Sequence, residues 1–234
     1  MKRLTTIALA LALAACTARN GGDTASTDTA TTTQAATETT ATQAATQTTA
    51  TQATNEEKPM SQYENKVAVL HTTAGDIHIR FFPDVAPNHV KNFIDLAEKG
   101  FYNDTKFHRI IPGFMIQGGD PNTKKSDTSM WGMGGSETNI RQEFNAVPHK
   151  RGIVSMARSQ DPNSASSQFF IVVADSNFLD NNYTVFGQVT QGMEVADKIV
   201  SAQKGAMDRP TNPVAITSVE LRPAKPEEQG PAPK

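Results

Sequence analysis

The chain of 234 residues holds a single cysteine, no surplus of charge and few of the short motifs that mark common enzyme chemistries. With Cys16 as the only thiol, an intramolecular disulfide, a cysteine-built zinc site and a thiol catalyst within the folded body are excluded. Lys and Arg number 22 against 24 Asp and Glu, a formal net charge of -2. The basic residues are scattered, so the stripe that a nucleic-acid binder presents to phosphates is missing. No G-x-S-x-G elbow accompanies a serine nucleophile. Gly132, Gly134 and Gly135 run into Ser136-Glu137, not the Lys-Ser/Thr of a phosphate-binding loop.

The first residues read as a targeting segment. Lys2 and Arg3 form a basic start, Leu4 to Ala15 is an apolar run too short for an ordinary membrane-spanning helix, and small residues follow. The end of this run, Leu13-Ala14-Ala15-Cys16, resembles the lipobox of bacterial lipoproteins. That resemblance implies removal of residues 1–15 as a signal peptide and lipidation of Cys16. Residues 16–62 then form a Thr/Ala/Gln-rich tether with too little apolar area to offset ordering entropy. As a flexible coil it would span roughly 35 to 40 Å. The expected location is the cell envelope, on the periplasmic face of the outer membrane if the cell has two membranes, since Thr17 and not Asp follows the cysteine.

Residues 63–222 change to a globular composition of single-domain size, and residues 223–234, rich in Pro, Glu and Lys, are expected to be a loose tail. Val67 to Leu70 and Ile77 to Phe82 read as strands of a hairpin around Thr73-Ala74-Gly75-Asp76. Pro87 suits a first helical turn, Val90, Phe93, Ile94 and Ala97 recur at helical spacing, and Gly100 supplies a stop. Met193 to Ala202 carries a second helical stripe. Phe107–Ile111, Phe114–Gln117, Gly152–Met156, Gln168–Val173, Thr184–Val189 and Ile216–Leu221 are short β-rich runs punctuated by Gly, Pro, Asn and Asp. Many short strands with two helices indicate a mainly β fold, a sandwich or a closed barrel plugged at its ends.

A turn at Ala74-Gly75 would set His71 opposite His78, a pair able to touch a metal; without a third ligand no metal is expected. His89 and His149 have no evident partner and read as surface residues. There remain three segments, FHRIIPGFMIQGGD (Phe107 to Asp120), SMARSQDPNSASSQFFI (Ser155 to Ile171) and FLDNNYTVFGQV (Phe178 to Val189). Together with Val85-Ala86-Pro87 and Asn92-Phe93 they resemble the cyclophilins, in order and across essentially the whole globular part. The resemblance implies a closed eight-stranded antiparallel β-barrel capped by two α-helices, no cofactor, and a peptidyl-prolyl cis/trans isomerase acting on proline-containing polypeptides as a monomer.

Rotation about an X-Pro bond breaks no covalent bond, but it passes through a twisted amide in which resonance is lost and the prolyl nitrogen regains a lone pair. A fixed cationic donor aimed at that lone pair binds the transition state in preference to the planar ground state. By resemblance Arg109 is that donor; Phe114, Met115, Phe170 and Leu179 form the proline pocket, with Tyr183 at its rim. Gln117 and Gln168 hold the substrate backbone, and Arg158 stands where a common form of the family has Asn. Phe178 stands where members most sensitive to cyclosporin carry Trp, which implies weak binding of that drug. His108, next to Arg109 in a strand, is expected on the opposite face as a buried, hydrogen-bonded residue. The competing reading is a proline-peptide-binding chaperone or adhesion module that uses the groove without turnover.

Overall fold

The computed structural model describes residues 60–234, which fall within one compact unit, Thr54–Lys234. The expected signal peptide, Cys16 and the expected tether up to residue 59 lie outside the described residues. Eight strands, β1 (Lys66–Thr72), β2 (Gly75–Phe81), β3 (Arg109–Ile111), β4 (Met115–Gly118), β5 (Ile153–Met156), β6 (Phe169–Val172), β7 (Val185–Gln191) and β8 (Ile216–Pro223), form one sheet in the order β3-β4-β6-β5-β7-β2-β1-β8. Every ladder is antiparallel. Two α-helices, α1 (Pro87–Glu98) and α2 (Met193–Val200), accompany the sheet.

The sheet curls but does not close as a ladder, so the expected closed barrel is corrected to an open, half-barrel arrangement. Its edges are β3 and β8. Strand β3 has only three residues, and the chain before it meets the approach to β8 through one bridge, Lys106 with Ala215, and a few backbone bonds such as Phe107 N–H to Val214 O at 3.0 Å. Asp104, with φ of 64°, turns the chain just upstream and breaks the extended run that a full ladder requires.

Strand alternation puts two apolar clusters on the sheet. Ile116, Val154, Phe169, Ile171 and Phe186 join α1 and α2 in a sealed core, where Phe93 stacks on Tyr102 at 4.7 Å and meets Phe169 edge-on at 5.4 Å. Their neighbours Met115, Ile153, Phe170, Val172 and Val185 point the other way into a second cluster with Phe82 and Leu179. Pro87 occupies the start of α1 as its spacing predicts, and the buried stripe His89, Val90, Phe93, Ile94, Leu96 and Ala97 follows the 3.6-residue period.

Three local expectations change. The hairpin turns at Thr73-Ala74, so Val69 faces His78 and His71 faces Asp76; the two histidines are not opposed. His89 and His149 are fully buried, held by Glu143 at 2.6 Å and Asp180 at 2.9 Å, partners too distant in sequence to be read from spacing. The C-terminal segment folds back: Arg222 donates both Nη atoms to Glu228 at 2.7 Å, Glu228 is buried, and this pair drives the Glu228 carboxyl down to a pKa of about 2. Among the described residues no group of three or more His, Cys, Asp or Glu is arranged to hold a metal, and no helix is long and apolar enough to cross a membrane.

Candidate active site

The open cluster ends in a cavity of about 610 Å³. Sheet register places its walls. Arg109 on β3 pairs with Gln117 on β4, and Gln117 pairs with Phe170 on β6, so three neighbouring strands present these side chains side by side. Met115, two residues before Gln117, shares its face. Phe114 follows the left-handed Gly113 at the β3–β4 turn, and its ring packs on Phe178 at 5.2 Å. Leu179 and Phe178 come from the 3-10 turn Asn177–Leu179, and Tyr183 meets Phe170 edge-on at 5.8 Å.

Of the residues singled out in the sequence, Arg109, Phe114, Met115, Gln117, Arg158, Phe170, Phe178, Leu179 and Tyr183 all line this cavity. Gln168 lines an adjoining one that shares Gln117, Gly132, Met133, Ala157 and Arg158. A polar chain runs between the two. Arg109 Nη1 donates to Gln117 Oε1 at 3.4 Å, Gln117 Nε2 to Gln168 Oε1 at 2.9 Å, and Gln168 Nε2 to the carbonyls of Gly132 and Gly134 at 3.0 and 2.7 Å. Each amide is thereby locked in one orientation by the next, and the guanidinium is held at the cavity mouth. The backbone needs glycine here: a side chain on Gly119, at φ of 84°, would collide with Ser167 O, where Gly119 O accepts a 2.8 Å bond from Ser167 Oγ.

Arg158 is committed to the rim. Its guanidinium lies 4.7 Å from the Tyr183 ring centre and donates to the carbonyls of Asn182, Ser159 and Gln160. It thus braces the loop that carries Tyr183. Arg109 is freer: its side chain keeps 41% of its exposure, and its Nε lies 3.8 Å from Asp208 Oδ2. Asp208 is gripped in turn by Lys204 Nζ at 2.6 Å.

His108 departs from its expected place. It is buried, yet it lines the same cavity as Arg109, because it precedes the regular part of β3 and strand alternation does not govern it. Neither ring nitrogen has a protein partner of good hydrogen-bond geometry. Burial pushes its pKa down against the opposing pull of Asp120, with Arg109 and Arg209 lowering it further, so the ring is neutral at pH 7.

Loop residues missed in the sequence complete the mouth: Trp131, Met133, Met207, Asp208 and Arg209. Trp131 is flanked by Lys106 at 5.4 Å and Arg209 at 5.5 Å from its ring centre. No periodicity marks such segments; the only sequence signal is a Met or Trp set among turn residues. Beneath the cavity, Asp180, His149 and Ser155 form a line that resembles a hydrolase triad, with His149 Nε2 3.1 Å from Ser155 Oγ. Ser155 is fully buried and its hydroxyl donates to Thr184 O at 2.9 Å, so no substrate carbonyl reaches it. The line supports Phe170, whose ring stacks on His149 at 6.2 Å.

A curled antiparallel sheet whose open side carries a cavity lined by apolar side chains, a guanidinium and an amide side chain defines the class of fold and site. The family model described as cyclophilin type peptidyl-prolyl cis-trans isomerase/CLD matches residues 66–221, and the chain belongs to that family and is an enzyme of it. Similar proteins include a probable peptidyl-prolyl cis-trans isomerase of Brucella abortus, 44% identical over an alignment of 162 residues that covers 66% of this chain and 82% of the relative. Peptidyl-prolyl cis-trans isomerase B of Escherichia coli is 42% identical over 169 residues, covering 66% of this chain and 99% of that one. A Cryptosporidium parvum cyclophilin type isomerase, crystallised in the presence of the dipeptide Ala-Pro, superposes with a TM-score of 0.61 at 30% identity, over 67% of this chain and 98% of that chain.

Proposed function

We propose that this enzyme is a lipid-anchored isomerase of the cell envelope in which Arg109 stabilises the twisted amide while Phe114, Met115, Phe170 and Leu179 grip the proline ring. The observation that carries the mechanism is the guanidinium held beside an apolar cavity by Gln117 on one side and Asp208 on the other. Uncatalysed exchange takes tens to hundreds of seconds, and lowering its barrier by about 7 kcal/mol accelerates it by about five powers of ten. A preorganised donor supplies roughly 3 to 4 kcal/mol of that. The remainder comes from the apolar walls, because a twisted amide is less dipolar than a planar one and loses less on leaving water. Gln117 and Gln168 hold one side of the bond, so only the other side turns.

The presence of Ala-Pro in the crystals of the Cryptosporidium parvum relative supports a proline-containing substrate. The lipobox at Leu13 to Cys16 supports the anchor, with residues 16–62 as the tether and the domain acting as a monomer. Two-dimensional exchange NMR on an Ala-Pro peptide tests the activity: exchange cross-peaks that grow with substoichiometric protein are expected, whereas binding without accelerated exchange would establish the chaperone or adhesion alternative. For the anchor, Cys16→Ser is expected to move the protein from the membrane to the soluble fraction, and unchanged fractionation would refute it.

A further inference from the structure

Large apolar side chains are scarce on the surface of the described residues, and three of the four that are exposed line one cavity. Met130, Met133, Phe178 and Met207 retain 49%, 73%, 71% and 75% of their exposure. Met133, Phe178 and Met207 all line the cavity of about 610 Å³ that holds Arg109. Met130 sits three residues before Met133, and its carbonyl accepts the Met133 N–H at 3.2 Å. Singly exposed apolar residues need no explanation, but a cluster rimming a binding cleft does.

The cluster is assembled from separate turns, Thr128–Met130 with the residues after it, Asn177–Leu179, and Ala206–Asp208. In the last of these Met207 and Asp208 both adopt left-handed backbone, with φ of 59° and 58°, a conformation that non-glycine residues rarely take. This backbone carries Asp208 to Arg109 and leaves Met207 pointing out beside the mouth. The cavity, at about 610 Å³, lies in the range that takes a drug-sized ligand, so it has room for more than a prolyl ring.

Resting on the isomerase reading of this site, we infer that the methionine rim receives large apolar side chains flanking the proline, so that the preferred clients are apolar stretches of unfolded chain and not prolines in polar loops. The occupant follows from continuity. An extended polypeptide with its proline seated against Phe114, Met115 and Phe170 has to leave the cavity across the rim. Methionine suits that duty, because an unbranched, polarisable side chain repacks around apolar groups of different shape. The rim therefore selects for apolar character without selecting one sequence.

The test compares two peptides of equal length that share one Ala-Pro bond, one flanked by alanines and one by leucines. The expected kcat/KM is higher for the leucine-flanked peptide by about fivefold, carried by KM, less than a fully enclosed pocket gives for added methylenes. Met133→Ser combined with Met207→Asn, which tolerates left-handed backbone, is expected to bring the ratio close to unity. Equal kcat/KM for the two peptides in the unaltered protein overturns the inference while leaving the isomerase reading intact, as does an unchanged ratio in the double variant. No turnover of either peptide overturns the isomerase reading itself, and the inference with it.

Discussion

One sheet carries two apolar faces, and they differ in what covers them. On one face Ile116, Phe169, Ile171 and Phe186 are sealed by α1 and α2, and the ring cluster of Phe93, Tyr102, Phe169 and Phe186 is wholly buried. On the other face the alternate residues Met115, Phe170, Val172 and Val185 are buried as well, but Met115 and Phe170 line a cavity that the exposed Phe178 also lines. The residue types are the same; the lid is missing. Apolar surface left uncovered, as on Phe178 beside this cavity, costs stability, and a bound peptide would cover it.

The largest expected effect sharpens this contrast on the sealed side. Phe169→Ala should lower the unfolding free energy by about 3 to 5 kcal/mol, measured by urea denaturation, with turnover per folded molecule little changed. On the open side Phe170→Leu, one residue along, should reverse the balance: a stability loss of about 1.5 kcal/mol or less with a clear rise in KM for an Ala-Pro peptide. An unchanged KM in Phe170→Leu, or a raised KM in Phe169→Ala, would break the comparison. Asp208→Asn removes a partner of Arg109 in a half-exposed pair, so turnover should fall by only a few-fold, within about 1 kcal/mol.

The smallest effect is on pH dependence. Burial lowers the pKa of both His108 and His149, the second despite Asp180, and both lie along the open face. Below the unfolded value near 6.5 the unfolded chain binds protons that the folded chain refuses, so stability present above that pH is lost as pH falls toward the lowered folded values. His71, raised by Asp76 and exposed on β1, acts in the opposite sense but is screened by solvent. Thermal melts between pH 7 and 5 should show a falling midpoint, with the slope reduced in His108→Leu.

How legible the molecule was follows the same division. Strands β3 to β8 and both helices fall within a residue or two of their expected runs, because alternation and the 3.6-residue period are local signals. Arg109, Phe114, Met115 and Gln117 lie in one continuous motif, and their convergence follows from the β3–β4 pairing. What stayed hidden depends on distant contacts or on loops. The hairpin register shifted because the two-residue turn fell one position earlier than its glycine suggested. His89 and His149 became interior residues only through Glu143 and Asp180. Met133, Met207 and Asp208 reach the cavity from irregular turns that carry no period.

The proposed role of Arg109 is to act on the transition state and not on the bound peptide. Exchange NMR and calorimetry on Arg109→Ala with the same Ala-Pro peptide test it directly. Turnover is expected to fall about 10²- to 10³-fold with peptide affinity nearly unchanged. Turnover equal to that of the unaltered enzyme, or affinity and turnover falling together, would contradict it.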